Sequence, residues 1–146
     1  PGVRGDGNIT TLSLGDAEAI SDMPRVAAVV PERSGSYAVR YGNIDARVTV
    51  QGVGASMPYV RDWPAARGSF FTERDVRSYA PVAVLGQTTV NNLFPSGADP
   101  IGEYILVRNI PFEVIGILSP KGASGWGGDQ DDAVFIPVTT GLIRLF

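Results

Sequence analysis

Glycine and proline constrain the fold of this chain more than any other feature. Of its 146 residues, 18 are Gly and 11 are Pro, and both residue types are unfavourable inside helices and central strands. Long regular elements are therefore not expected. Apolar residues make up 44% of the chain, which is close to the average for a domain with a packed core. The sequence predicts one domain, or two small ones, built from short elements joined by turns.

Alternating and continuous apolar runs predict the strands. Residues 37–41 and 46–50 alternate on either side of Gly42 and Asn43, which favours a hairpin with a two-residue turn. Residues 104–107 and 112–118 lie on either side of 109–111 and predict a second hairpin. Continuous apolar runs at 82–85 and 133–136 are typical of buried strands. A further strand is predicted at 26–30.

Helix signals are local and short. Thr72-Glu-Arg-Asp75 matches a capping box that opens a brief helix, and residues 87–93 predict a two-turn helix ended by Pro95. Thr139 is predicted to cap a final helix from Thr140 to the chain end. Another capping box at 13–16 predicts a short N-terminal helix, and residues 59–68 are interpreted as a loop or a short helical turn.

Several chemistries are excluded by composition. The chain has no His and no Cys, so it cannot form a Ser-His-Asp triad, a thiol nucleophile or a His/Cys metal site. The net charge is −3 and Lys121 is the single lysine; with the arginines scattered, nucleic-acid binding is not expected. The longest apolar stretch, residues 110–118, is much shorter than the roughly 20 residues of a membrane-spanning helix. We expect no cofactor and no metal.

Carboxylates leave one catalytic alternative open. The densest cluster is Asp129-Gln-Asp-Asp132, which lacks the spacing of a calcium-binding loop and is interpreted as a solvated acidic turn. Paired carboxylates can act as general acid and base. Glu73 with Asp75, or Asp129 with Asp132, would be the pairs for such a hydrolase, and its activity would depend on Asp131 or Asp132.

The long irregular segment 119–132 is the candidate contact region. Its Lys precedes its glycines, which is the wrong order for a phosphate-binding loop. Long loops are often functional, and Trp126 is either a contact for a partner protein or an anchor that packs back on the domain. We take as candidate partner contacts Lys121, Ser124, Trp126 and Asp129.

A series of short motifs spans nearly the whole chain in a fixed order. Among them are Arg61-Asp-Trp-Pro64, Asp99-Pro-Ile-Gly102 and Pro111-Phe-Glu-Val-Ile-Gly116, with others at 14–20, 26–31, 68–76, 82–87, 92–94, 120–122, 129–132, 136–137 and 144–146. In this order and spacing they resemble the extracytoplasmic (periplasmic core) domain of MacB-type ABC-transporter permeases. The resemblance implies a domain between the first and second transmembrane helices of a permease, on the periplasmic or extracellular side of the cell membrane.

The resemblance also implies an architecture. It is α+β, with a mixed-sheet, porter-like α/β subdomain interrupted by a mainly β, sabre-like subdomain. Residues 1–56 and 133–146 would form the first and residues 57–132 the second. Family members usually carry another strand and helix, so we expect this chain to be part of a longer domain. Its start at Pro1 and its apolar end at 142–146 favour the same interpretation.

The implied function is mechanical. The domain would have no catalytic residues and would transmit ATP-driven motion of a permease dimer to the export of a substrate. Its partners would be a second permease copy, a membrane-fusion (adaptor) protein and a cytoplasmic ABC ATPase, and the isolated domain would be a monomer or a weak dimer. The alternatives are a soluble extracellular module that binds a peptide or sugar, and the carboxylate-dependent hydrolase.

Overall fold

The computed structural model describes residues 31–121 and 129–146. The chain divides by its internal contacts into two compact units, Pro1–Pro31 and Glu32–Phe146, and the fold described below is that of the second unit. The predicted helix that begins near Ser13 and the predicted strand at 26–30 lie outside the described residues.

The described helices are short, and so are four of the strands, as the Gly and Pro content predicts, but strands β1, β2 and β6 have 9, 10 and 9 residues and are longer than expected. The strands are β1 (Arg33–Tyr41), β2 (Ile44–Val53), β3 (Ala65–Gly68), β4 (Val82–Leu85), β5 (Tyr104–Val107), β6 (Ile110–Leu118) and β7 (Ala133–Pro137). The helices are α1 (Met57–Val60), α2 (Glu73–Arg77), α3 (Gln87–Leu93) and α4 (Val138–Arg144). The buried runs predicted at 82–85 and 133–136 are strands β4 and β7, and the helix predicted at 87–93 is α3. These predictions are confirmed.

All seven of these strands belong to one mixed sheet. Its order is β3-β6-β4-β7-β2-β1-β5, and β5 also pairs with β6. Six strands therefore close into a ring, while β3 lies along the second half of β6. The pairs β2–β7 and β4–β6 are parallel and the other pairs are antiparallel. This mixed sheet with helices agrees with the α+β class predicted from the sequence.

The ring encloses the larger of two hydrophobic cores. Alternate residues of all six ring strands point into it, together with α3 and Leu145. The second core lies on the other side of β4 and β7 and contains Met57, Trp63, Phe71 and Val76. Neighbouring residues of β4 and β7 enter different cores, so both strands are apolar at every position.

The subdomain boundaries implied by the family resemblance stay a prediction. They divide the chain into 1–56 with 133–146, and 57–132. Within Glu32–Phe146, strands from both segments pair in the same sheet: β7 pairs with β2 on one side and with β4 on the other.

Both predicted hairpins form, but three of their strands are longer than predicted: β1 begins at Arg33, β2 spans Ile44–Val53 and β6 begins at Ile110. Tyr41 pairs with Ile44 across a two-residue turn, and Gly42 has a φ of 60°, as the first position of a type II′ turn requires. The second hairpin turns at Arg108 and Asn109, both with positive φ. Strand β6 therefore begins at Ile110, two residues before the predicted start, and Pro111, the second residue of β6, is exposed.

Two helix predictions have different outcomes. The capping box is confirmed: the Asp75 N–H donates to Thr72 Oγ1 at 3.2 Å and the Thr72 N–H donates to Asp75 Oδ2 at 2.9 Å. The predicted cap at Thr139 is wrong, because α4 begins at Val138, two residues before the predicted start at Thr140, with Pro137 as its N-cap. The Thr139 hydroxyl instead donates to the Val76 carbonyl of α2, so a tertiary contact replaces the local cap.

The prediction for residues 59–68 is correct in its first part only. Met57–Val60 is the short helical turn α1, but Ala65–Gly68 is strand β3 rather than a loop. This strand pairs antiparallel with the end of β6 and is mostly exposed. It lacks an apolar alternation because the long-range pairing with β6, rather than burial, holds it.

Gly86, between β4 and α3, yields a test of the packing. A Cβ at Gly86 would lie 2.2 Å from the Asp131 carbonyl oxygen, so the backbone of one segment must move. We expect Gly86→Ala to lower the free energy of unfolding by about 1–3 kcal/mol, the usual cost of overpacking, measured by urea denaturation.

Gly54→Ala is the matched control. A Cβ there meets nothing within 4 Å, and its effect should stay within about 0.5 kcal/mol. Equal effects of the two substitutions would show that the backbone of Asp131 does not lie against Gly86.

Candidate functional site

The two described residues that flank 122–128 are joined through Asp131. The Lys121 N–H donates to Asp131 Oδ1 at 2.8 Å, and the Asp131 N–H donates to Asp129 Oδ1 at 2.9 Å. Asp131 is only 6% exposed. Ser124 and Trp126, the other two candidate contacts, lie outside the described residues. The structure therefore brings Lys121 and Asp129 together in a cluster that we call the loop base: Thr88, Lys121, Asp129 and Asp131.

Helix α3 supports the loop base. The Thr88 hydroxyl donates to Asp129 Oδ2 at 2.7 Å, and the N–H groups of Thr88 and Thr89 point to the Asp131 carbonyl at 3.2 and 3.4 Å. The N–H groups of a first helical turn lack partners within the helix, and Gly86, the N-cap of α3, has no side chain to supply one. The Asp131 carbonyl supplies that acceptor, which is why it lies so close to Gly86.

Lys121 connects the loop base to α1. Its ammonium donates to the Arg61 carbonyl at 2.9 Å and lies 5.3 Å from the centroid of the Trp63 ring, a cation–π distance. Trp63 is itself fixed, because its Nε1–H donates to the Ser119 carbonyl at 2.7 Å and its ring packs edge-on against Phe135. The Lys121 side chain, although exposed, therefore has a defined position.

Arg61 extends these contacts to the first strands. Its guanidinium donates to Gln51 Oε1 at 3.1 Å and forms an ion pair with Glu32. The sequence indicates Arg61 only as part of a family motif and does not indicate Gln51 or Thr88. The partner of Gln51 lies 10 residues away in the chain and that of Thr88 lies 41 residues away, so no local pattern marks these two residues.

Three of the carboxylates considered for catalysis, those of Asp75, Asp129 and Asp132, accept hydrogen bonds. Asp75 accepts the Thr72 N–H, and both oxygens of Asp129 accept hydrogen bonds. Burial, and secondly the nearby Asp129 carboxylate, raise the pKa of Asp132, while the hydrogen bond from Thr89 opposes the shift. Within residues 31–121 and 129–146, no group of three or more acidic side chains is arranged to hold a metal ion. Asp75 thus caps the start of α2, and Asp129 holds the turn that leads to Asp131.

An exposed apolar pair lies beside this network. Tyr59 and Val60 of α1 are 92% and 78% exposed, directly before Arg61. In the part of the chain that the structure describes, no helix is long and apolar enough to cross a membrane.

Comparison of sequences identifies relatives. The model of the MacB-like periplasmic core domain family matches residues 1–146. The macrolide export ATP-binding/permease protein MacB of Azoarcus sp. (strain BH72) is 52% identical over 145 residues, 99% of this chain and 22% of that protein. The pyoverdine export ATP-binding/permease protein PvdT of Pseudomonas aeruginosa is 45% identical over 135 residues, 92% of this chain and 20% of that protein. The chain thus spans about a fifth of the length of these curated relatives.

Solved structures share the fold. The periplasmic region of MacB from Actinobacillus actinomycetemcomitans matches with a TM-score of 0.69 and 25% identity, over 99% of this chain and 63% of that one. The extracellular domain of the noncanonical ABC-type transporter YknZ from Gram-positive bacteria has a TM-score of 0.66 and 21% identity, over 77% of this chain and 55% of that one. The second likeness shows the fold alone. Together these matches confirm the resemblance and the fold class predicted from the sequence, and the chain belongs to the MacB-like periplasmic core domain family.

Proposed function

We propose that this chain is the extracytoplasmic domain of an ABC-transporter export permease and that it transmits ATP-driven motion to substrate export. The observation that carries the proposal is the family match over the whole chain. The relatives at 52% and 45% identity are named as ATP-binding/permease export proteins. In this proposal, catalysis belongs to a cytoplasmic ABC ATPase, and the domain itself makes and breaks no covalent bond.

The packing supports a mechanical role. A part that transmits motion must move as a unit, and close-packed interiors deform little. Here β4 and β7 are shared by two cores, so the sheet cannot shift on one face without disturbing the other. The Thr139 hydroxyl donates to the Val76 carbonyl of α2 and the Thr140 hydroxyl to the Ala80 carbonyl after it, so α4 is bonded to this segment at two points.

The proposed partners are a second permease copy and a membrane-fusion (adaptor) protein. We propose that the adaptor contacts the segment between Lys121 and Asp129, with Trp126 as anchor and Ser124 beside it, because an indole is a frequent hot spot of interfaces. The loop base supports this role, since it holds both ends of the segment against α3. Lys121 and Asp129 stay exposed and can meet the same partner. The isolated chain is expected to be a monomer or a weak dimer.

Trp126→Ala in the full-length parent protein tests the adaptor contact. Loss of a hot-spot side chain typically costs 2 kcal/mol or more, so the affinity for the adaptor should fall at least about tenfold in a titration of purified proteins. Tyr104→Ala is the matched control, because Tyr104 is also an exposed aromatic residue (61%) but lies on β5. An unchanged affinity for Trp126→Ala would contradict the proposed contact.

A ligand panel separates the transport domain from a peptide- or sugar-binding module. A ligand at 100 times its Kd stabilises the folded state by about 2.7 kcal/mol, which raises the melting temperature of a domain of this size by roughly 5 °C or more. We expect the melting temperature of the chain to stay constant across a panel of peptides and sugars in scanning fluorimetry. A reproducible rise with one ligand class would favour the binding module.

A further inference from the structure

Arg61 links three segments that lie far apart in the sequence. Its guanidinium contacts Glu32, just before β1, and Gln51 on β2. Its carbonyl oxygen accepts the Lys121 ammonium at 2.9 Å, just after β6. One residue therefore bonds to the start of the first strand through its side chain and to the loop base through its backbone.

The backbone of Arg61 is fixed by the end of α1. Arg61 is the C-cap of this helix, and the following residue, Asp62, has a φ of 51°. The Asp62 N–H points to the Tyr59 carbonyl at 3.4 Å and the Trp63 N–H to the Pro58 carbonyl at 2.8 Å, the two bonds of a Schellman motif. Because the motif restricts rotation of the peptide planes, the end of α1 is a rigid turn that carries the Arg61 carbonyl.

The series of hydrogen bonds that passes through Arg61 continues from Lys121 to the start of α3. The Lys121 N–H bonds to Asp131, whose carbonyl accepts the N–H groups that begin α3. The series begins at Glu32, which is the first residue of the compact unit Glu32–Phe146 and follows Pro31 in the chain. A contiguous series of polar contacts therefore runs from Glu32, through Arg61, to the loop base.

We infer that Arg61 is a positioning residue that couples Glu32 to the loop base. A shift of the chain at Glu32 moves the Arg61 guanidinium, and with it the Lys121 side chain and the hydrogen bond between Lys121 and Asp131. The inference deepens the proposed function, on which its role in export rests, by naming the residue through which motion at Glu32 reaches the loop base. The coupling itself is a property of this chain and is measurable without transport.

Amide hydrogen exchange of the chain, resolved by NMR, tests the coupling. Exposed ion pairs contribute weakly, so Glu32→Gln should raise the exchange rate of the Lys121 amide between about 1.5- and fivefold. Arg61→Met, which also loses the bond to Gln51, should raise it further. An exchange rate of the Lys121 amide that is unchanged in both variants would overturn the inference.

A charge exchange and a control separate coupling from loss of stability. In the double variant Glu32→Arg with Arg61→Glu, the ion pair is restored with reversed polarity and Gln51 can donate its amide to the new carboxylate, so the rate should return toward that of the unmodified chain. Asp99→Asn breaks the similarly exposed pair of Arg67 and Asp99 and should leave the Lys121 amide unaffected. If Asp99→Asn accelerated exchange as much as Glu32→Gln, a general loss of stability would explain the effect and the inference would fail.

Export by the full-length parent protein distinguishes this inference from the proposed function. With a macrolide as probe, Arg61→Glu should reduce resistance of the host cells, and the added Glu32→Arg should restore it. If the unmodified parent gives no macrolide resistance, the proposed export function is contradicted for the substrate that the relative's name gives, while the exchange measurements still decide the coupling. If export falls with Arg61→Glu and is not restored by Glu32→Arg, Arg61 does not act through Glu32.

Discussion

The burial of β4 and β7 on both faces is the constraint on which the rest of the structure depends. Val84 and Phe135 pack into the second core, while their neighbours along the strands pack inside the ring. A ring alone would need only one apolar face per strand. The second apolar face draws α1, α2 and Trp63 onto the outside of the sheet, and these elements in turn place Arg61 and Lys121.

The pairing of β4 with β7 has a second consequence, which is the close approach of the segments that contain Gly86 and Asp131. Strands β4 and β7 are adjacent and antiparallel, so the end of β4 and the start of β7 come together at Gly86 and Asp131. Gly86 allows the Asp131 backbone to supply the acceptor that the first turn of α3 needs. The same residue uses its side chain to join Lys121 and its own N–H to join Asp129. The loop base is thus built mainly from groups that stabilise a helix start and a turn, which suits a contact site held in place rather than a reactive one.

How much of the candidate site could be predicted differs from residue to residue. Lys121 and Asp129 are predicted contacts because they belong to the long irregular segment 119–132, and in the structure both bond to Asp131. The reason for their proximity, Asp131 and Thr88, was not visible, since the bonds depend on β4 and β7 lying side by side. Arg61 shows the same limit more strongly: its partners, Glu32, Gln51 and Lys121, come from three separate segments.

Local patterns predicted those elements whose stability is local. The capping box of Thr72 and Asp75, the turn at Gly42 and the doubly buried runs of β4 and β7 follow from hydrogen bonds or periodicity within a few residues.

Tertiary structure decided the elements that the sequence did not predict. Strand β3 exists because β6 offers it an edge to pair with. Arg108 and Asn109 adopt positive φ angles because they form the two-residue turn that joins β5 to β6. Thr139 gives its hydroxyl to α2 instead of capping α4. Composition by itself determined that this chain has neither imidazole nor thiol chemistry and that its helices are short. Only the closed sheet decided which polar groups meet, because hydrogen bonds between distant segments form only after packing brings the segments together.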